Sequence, residues 1–117
     1  MSIPTHVLHM ALAEAQARQP PPGNLAIPII RCADLEVELY TPAGSDRQKP
    51  HSRDELYVIA SGTGWFHSAE QRQAFTPGTL LFVPAGVNHH FAEFSPDFSA
   101  WVIFFGPEGG TPTISLD

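Results

Sequence analysis

Leu35, Val37 and Leu39 alternate with Glu36, Glu38 and Tyr40, a period of two that predicts a half-buried strand. Comparable signals run through most of the chain from Leu25 onward. Glu55 to Ala60 is rich in Tyr, Val and Ile and stops at Ser61–Gly62–Thr63–Gly64. Trp65 to Ser68 and Gln73 to Phe75 flank a polar turn around Glu70, the signature of a hairpin. Pro77–Gly78 introduces Thr79 to Val83, which Pro84–Ala85–Gly86 closes, and His89 to Phe94 and Phe98 to Phe105 form the last two strands around Ser95–Pro96–Asp97. Turn signals recur about every 8–12 residues, as in antiparallel sandwiches and barrels. Helical character is confined to residues 5–18, where Thr5 offers an N-cap and Val7, Met10, Ala11 and Glu14 share one face. Pro20–Pro21–Pro22–Gly23 then stiffens the chain. Residues 1–23 therefore read as a helical arm with a Pro-rich spacer that packs on the body or on a partner subunit, and residues 24–117 as an all-β domain. The segment from Gly106 to Asp117 reads as a loose tail or an edge strand.

Composition narrows the partners. Six basic against twelve acidic residues give a net charge of −6, and no Lys/Arg cluster offers a track for phosphates, so nucleic acid and anionic membranes are excluded as partners. Trp101 to Phe105, among the longest apolar runs, is far short of the roughly 20 residues a bilayer span needs. The N-terminal region has no basic leader, and His6, His9 and Glu14 interrupt its apolar run. Cys32 is the one cysteine, reads as a buried inert thiol, and fits a reducing compartment. The expectation is a cytoplasmic domain.

His51, Glu55 and His89 carry the candidate chemistry. His51 and Glu55 are four apart, an even offset that keeps both on one face of an extended segment, and His89 opens another strand. Two imidazoles and a carboxylate make the facial triad that holds a divalent metal with positions left open. Each alone is an ordinary surface or hydrogen-bonded residue; the pattern around them changes that reading.

The pattern resembles the cupin superfamily, whose motifs have the forms G(X)5HXH(X)3–4E(X)6G and G(X)5PXG(X)2H(X)3N. His51, Glu55 and Gly62 meet the H(X)3E(X)6G part of the first, and Gly78, Pro84, Gly86 and His89 meet the spacing of the second. The resemblance spans about Gly44 to Phe105. It implies a small jelly-roll, or double-stranded β-helix, barrel with a metal site in its mouth. By position, His51, Glu55 and His89 are the implied ligands of Fe, Mn, Ni or Zn. Lys49 stands at the first motif histidine and Glu93 at the motif asparagine. A protonated lysine neither ligates nor tolerates a nearby dication. Three ligands remain with water, or Lys49 contacts an anionic substrate, or metal binding is lost.

Other polar residues carry less. Arg53 has the parity of His51 and Glu55 and a planar fork suited to a carboxylate. Tyr57 shares the parity of Glu55, and Glu93 that of His89, so both are candidate pocket residues. Of His89 and His90 only one enters the cavity, and the motif selects His89. His6, His9 and His67 read as surface residues. Most of the aromatic residues fill the barrel interior. The resemblance implies either a metal-dependent enzyme, dioxygenase- or isomerase-like, acting on a small metabolite, or a non-catalytic module that binds or senses small molecules. It also implies a homodimer formed through sheet edges, for which the arm is suited.

Overall fold

The computed structural model describes residues 5–22, 25–46 and 48–117. The first four residues of the arm and Gly23 of its spacer lie outside them. The described residues form one short helix, α1 (Leu12–Gln16), and the strands β1 (Ala26–Cys32), β2 (Leu35–Tyr40), β3 (Asp54–Ser61), β4 (Gly64–Ser68), β5 (Gln71–Phe75), β6 (Leu80–Val83), β7 (His89–Ala92) and β8 (Ser99–Phe105). All pairings are antiparallel. One sheet has the order β1-β2-β8-β3-β6 and the other β5-β4-β7. Among the described residues no ladder joins the two sheets, which pack face to face as a jelly roll. No described helix is long and apolar enough to cross a membrane.

Register decides what faces inward. Glu36 pairs with Phe104, which pairs with Glu55, which pairs with Val83. The next inward row is Glu38, Val102, Tyr57 and Leu81. Opposite residues on paired strands share a face, so these rows turn together toward the second sheet. Tyr57, Ile59, Val83, Ala100 and Val102 meet Phe66, Phe75, Phe91 and Phe98 there as the main core. Its rings meet edge-on or tilted, as in the 4.9 Å Tyr57–Phe91 and 4.8 Å Phe91–Phe98 pairs.

The alternation in β2 is present with its faces reversed from the simple expectation. Leu39 turns outward to a second cluster with Ile27 and Ala15, against which Met10, Leu12, Ile29 and Trp101 pack. Its polar row, Glu36 and Glu38, lies on the inward face. Helix α1 covers the apolar outer row, which explains why both faces of β2 are shielded.

The helix is shorter than the spacing predicts. It begins after Ala11, which supplies no side-chain cap, and the Thr5 hydroxyl contacts the His6 ring at 3.0 Å. Val7 and Leu8 are exposed and bury nothing, and an isolated turn is unstable without packing. The arm docks on its own sheet through Ala15.

Two further expectations are corrected, and that of the aromatic interior holds with two exceptions. Cys32 is exposed, at the end of the edge strand β1 beyond the bulge between Pro28 and Ile30. Trp65 and Phe82 lie outside the core, Trp65 beneath the Arg72 guanidinium at 3.6 Å. The tail is tied down at Thr111, whose N–H and hydroxyl both donate to Asp54.

Candidate metal centre

Glu55 and Tyr57 sit two apart on β3, so both reach the inward face, and each is about 1% exposed. His89 is the first residue of β7, opposite Ser68 and on the same side as the buried Phe66–Phe91 pair. His51 precedes β3 by three residues and lies in a loop rather than on a strand. Its position comes from the Pro84–Ala85–Gly86 turn: Gly86 N–H donates to the His51 carbonyl at 2.7 Å, and Ala85 N–H donates to Asp54 Oδ1 at 2.9 Å. Gly86 has φ +81°, which suits a residue without Cβ. Thus the second motif's turn is stitched to the first motif's ligand segment.

One ligand atom from each of His51, Glu55 and His89 lies within 4.8 Å of the others. His89 Nε2 is 2.8 Å from Glu55 Oε1, and His51 Nε2 is 3.8 Å from Glu55 Oε2. His89 Nδ1 faces the Val87 carbonyl at 2.8 Å. A carbonyl only accepts, so Nδ1 carries a proton, and in a neutral ring Nε2 is then an unprotonated nitrogen 2.8 Å from the carboxylate. Two acceptors at that distance need a cation between them, either a second proton or a metal. Neither Glu55 oxygen has an aligned hydrogen-bond donor. A buried carboxylate without donors is costly, and a divalent ion bound by these three side chains removes that cost. The residues fit the metal. Burial depresses the basicity of His89, yet Glu55, the Val87 carbonyl and Asp46 outweigh it and hold its pKa above the ordinary 6.5.

A polar network backs the triad, and the sequence reading missed it. The Tyr57 hydroxyl donates to Gln48 Oε1 at 2.8 Å and lies 3.1 Å from His89 Nε2. Gln48 Nε2 donates to Asp46 Oδ2 at 2.7 Å. Asp46 also accepts from Phe91 N–H at 2.7 Å, from Gln48 N–H at 3.2 Å and from the Tyr40 hydroxyl. Burial first, and then the Glu55 charge, push the Tyr57 phenol far above its ordinary pKa; burial and Asp46 do the same to Tyr40. Asp46 and Gln48 lie in a loop, where no periodicity marks the inward side chains.

The remaining candidates separate. Lys49 is exposed. Arg53 donates through Nε to the Gly106 carbonyl at 3.0 Å, with Nη1 4.0 Å from Glu36, while its Nη2 is buried with no partner. It lines a cleft of about 350 Å3 with Glu36, His51, Ser52, Phe104 and Glu108. Glu93 lies outside the site: β7 ends at Ala92, Glu93 takes φ +51°, and its exposed carboxylate pairs with Arg72 at 2.8 Å. Strand parity fails once the strand has ended. His90 is exposed and packs against His67 across the outer face, ring centroids 4.7 Å apart.

The cupin domain family profile matches residues 36–102, more than half of the chain. The chain is a cupin. Over 99 residues this cupin is 33% identical to an uncharacterized protein of Streptomyces coelicolor, covering 83% of this chain and 94% of that one. A putative mannose-6-phosphate isomerase from Ralstonia eutropha superposes with a TM-score of 0.62 at 18% identity, covering 86% of this chain and all of the other (100%). The DMSP lyase DddQ from Ruegeria pomeroyi has a TM-score of 0.53 at 27% identity, covering 62% of this cupin and 39% of DddQ. The family explains why the motif glycines and Pro84 stand at turns. It leaves the substrate open, because one fold hosts many chemistries.

Proposed function

We propose that this cupin is a metal-dependent enzyme that moves a proton on a small anionic metabolite, in an isomerase- or lyase-type reaction. The observation that carries the reading is Glu55, buried without a donor and 2.8 Å from His89 Nε2. His51, Glu55 and His89 hold the ion, one of Fe, Mn, Ni or Zn. When bound, it supplies Lewis-acid polarisation of a substrate oxygen.

The chain's own groups do the rest. Tyr57 holds a proton at its phenolic oxygen, 3.1 Å from a ligand nitrogen, and burial keeps it protonated between turnovers. It hands that proton to one substrate atom and takes back the proton another substrate atom gives up, so no charge stays on the phenol. Arg53, which lines the cleft beside His51, pairs there with the carboxylate of the metabolite. The named isomerase and lyase among the structural neighbours support this reaction class.

The test is elemental analysis of the purified chain after incubation with each ion. Solvent-deuterium exchange into small hydroxy- and oxo-carboxylates, followed by NMR, then reads proton transfer. About one equivalent of metal, and exchange that Tyr57→Phe abolishes while metal is retained, support the proposal. Less than about a tenth of an equivalent ends it. Stabilisation by organic ligands that persists in chelator and in Glu55→Ala makes the chain a metal-free binding module instead.

A further inference from the structure

We propose that Gln48, not the residue at position 49, supplies a fourth protein ligand to the metal centre, through its side-chain carbonyl oxygen. The inference rests on the metal reading of His51, Glu55 and His89. The first motif's leading histidine is replaced by Lys49, whose exposed side chain has left the site. Gln48 has turned in.

The orientation of its amide is determined by its neighbours. Nε2 donates to Asp46 Oδ2 at 2.7 Å, and a flipped amide would press its carbonyl oxygen against that carboxylate. Asp46 cannot yield, because Phe91 N–H, Gln48 N–H and the Tyr40 hydroxyl all converge on it. Oε1 therefore points at the site, 2.8 Å from the Tyr57 hydroxyl and 3.4 Å from His51 Nε2. Two donors on one first-row ion, each about 2.1 Å away and at right angles, stand about 3 Å apart. The 3.4 Å separation from His51 Nε2 and the 2.8 Å separation of His89 Nε2 from Glu55 Oε1 both suit neighbouring ligands of one ion.

The consequence is a donor set of two imidazoles, one carboxylate and one amide oxygen. An amide oxygen is harder than an imidazole and, like it, neutral. The site keeps the net charge of a three-imidazole set while moving toward ions that favour oxygen, Mn(II) among them. Tyr57, hydrogen-bonded to the same oxygen, is thereby coupled to the ligand shell.

The experiment titrates Mn(II) and Zn(II) into the apo chain by calorimetry, with apo melting temperature as the folding control. Gln48→Ala is expected to weaken Mn(II) binding about tenfold or more, while apo melting falls through the lost bonds to Asp46 and Tyr57 with the chain still folded. Gln48→Glu, which keeps an oxygen there, is expected to bind Mn(II) more tightly than Gln48→Ala, and Lys49→Ala to stay within about twofold of wild type. A Gln48→Ala variant that binds as wild type overturns the assignment. So does equal weakening by Gln48→Ala and Tyr57→Phe, which would make Gln48 a support for the phenol. A wild-type chain with no affinity for either ion overturns the metal reading itself, a failure distinct from the first two.

Discussion

The backbone N–H of Gly86 donates to the carbonyl of His51 at 2.7 Å, so the turn of one motif fixes the backbone of a metal-ligand candidate in the other. Nothing lies within 4 Å of a Cβ built on Gly86, but its φ of +81° is strained for any other residue. Gly86→Ala is therefore expected to cost about 1–2 kcal/mol in urea unfolding, through backbone strain alone. Relief of that strain moves the turn and releases His51, so metal affinity in the same variant falls about tenfold. Full affinity in a destabilised Gly86→Ala would show that the Ala85–Asp54 bond suffices to place His51.

Glu55→Gln separates binding from stability. The variant removes a buried charge that no donor satisfies, and its amide can donate to His89 Nε2 once that ring is neutral. In chelator it is expected to melt at or above the wild-type temperature. With metal present the order reverses, because a neutral amide replaces the one anionic ligand, and affinity falls more than about tenfold. A Glu55→Gln chain that is less stable in chelator would mean that Glu55 serves the fold through a His89 ion pair.

How far the site can be read from sequence follows from local geometry. His51, Glu55 and His89 were legible because turn residues bracket them at set spacings, and Tyr57 because it shares a strand face with Glu55. Gln48 and Asp46 were not, since a loop has no alternation to say which side chain turns inward. Glu93 misled for the same reason, lying one residue past the end of β7. The strands themselves follow their turn signals closely. The faces of β2 do not: its apolar row is covered from outside by a helix whose five residues lie far off in sequence. The short helix and the exposed Cys32 both depend on what packs nearby, which periodicity does not carry.

Gly62 carries a heavier constraint than Gly86. A Cβ there would stand 2.6 Å from Phe98 Cα and 2.7 Å from Ser95 Oγ, on a backbone with φ +84°. Main-chain atoms cannot rotate aside as a long side chain can, so strain and overlap add. Gly62→Ala is expected to lose more than about 3 kcal/mol and to express poorly, with the loss read by chemical denaturation. A loss no larger than that of Gly86→Ala would mean that the β3–β4 turn and Phe98 move apart easily.

Asp54 is expected to govern stability in acid. Its Oδ2 accepts from the Thr111 hydroxyl at 2.6 Å and the Thr111 N–H at 2.9 Å, and its Oδ1 from Ala85 N–H at 2.9 Å. The Thr111 hydroxyl is the largest influence; burial opposes it, and with the two backbone donors it holds the carboxyl below its ordinary 3.8. A depressed folded pKa means that the folded state binds protons less readily than the unfolded chain. The resulting stabilisation is complete above the unfolded value and drains away as pH falls through the folded one. Measured in chelator, wild type is therefore expected to lose stability below about pH 4, by more than Asp54→Asn loses over the same range. At neutral pH, Asp54→Ala should cost about 3 kcal/mol, because three donors lose their acceptor and the tail is freed at Thr111. Parallel acid profiles for wild type and Asp54→Asn would locate the titrating groups elsewhere and leave Asp54 as a neutral-pH anchor only.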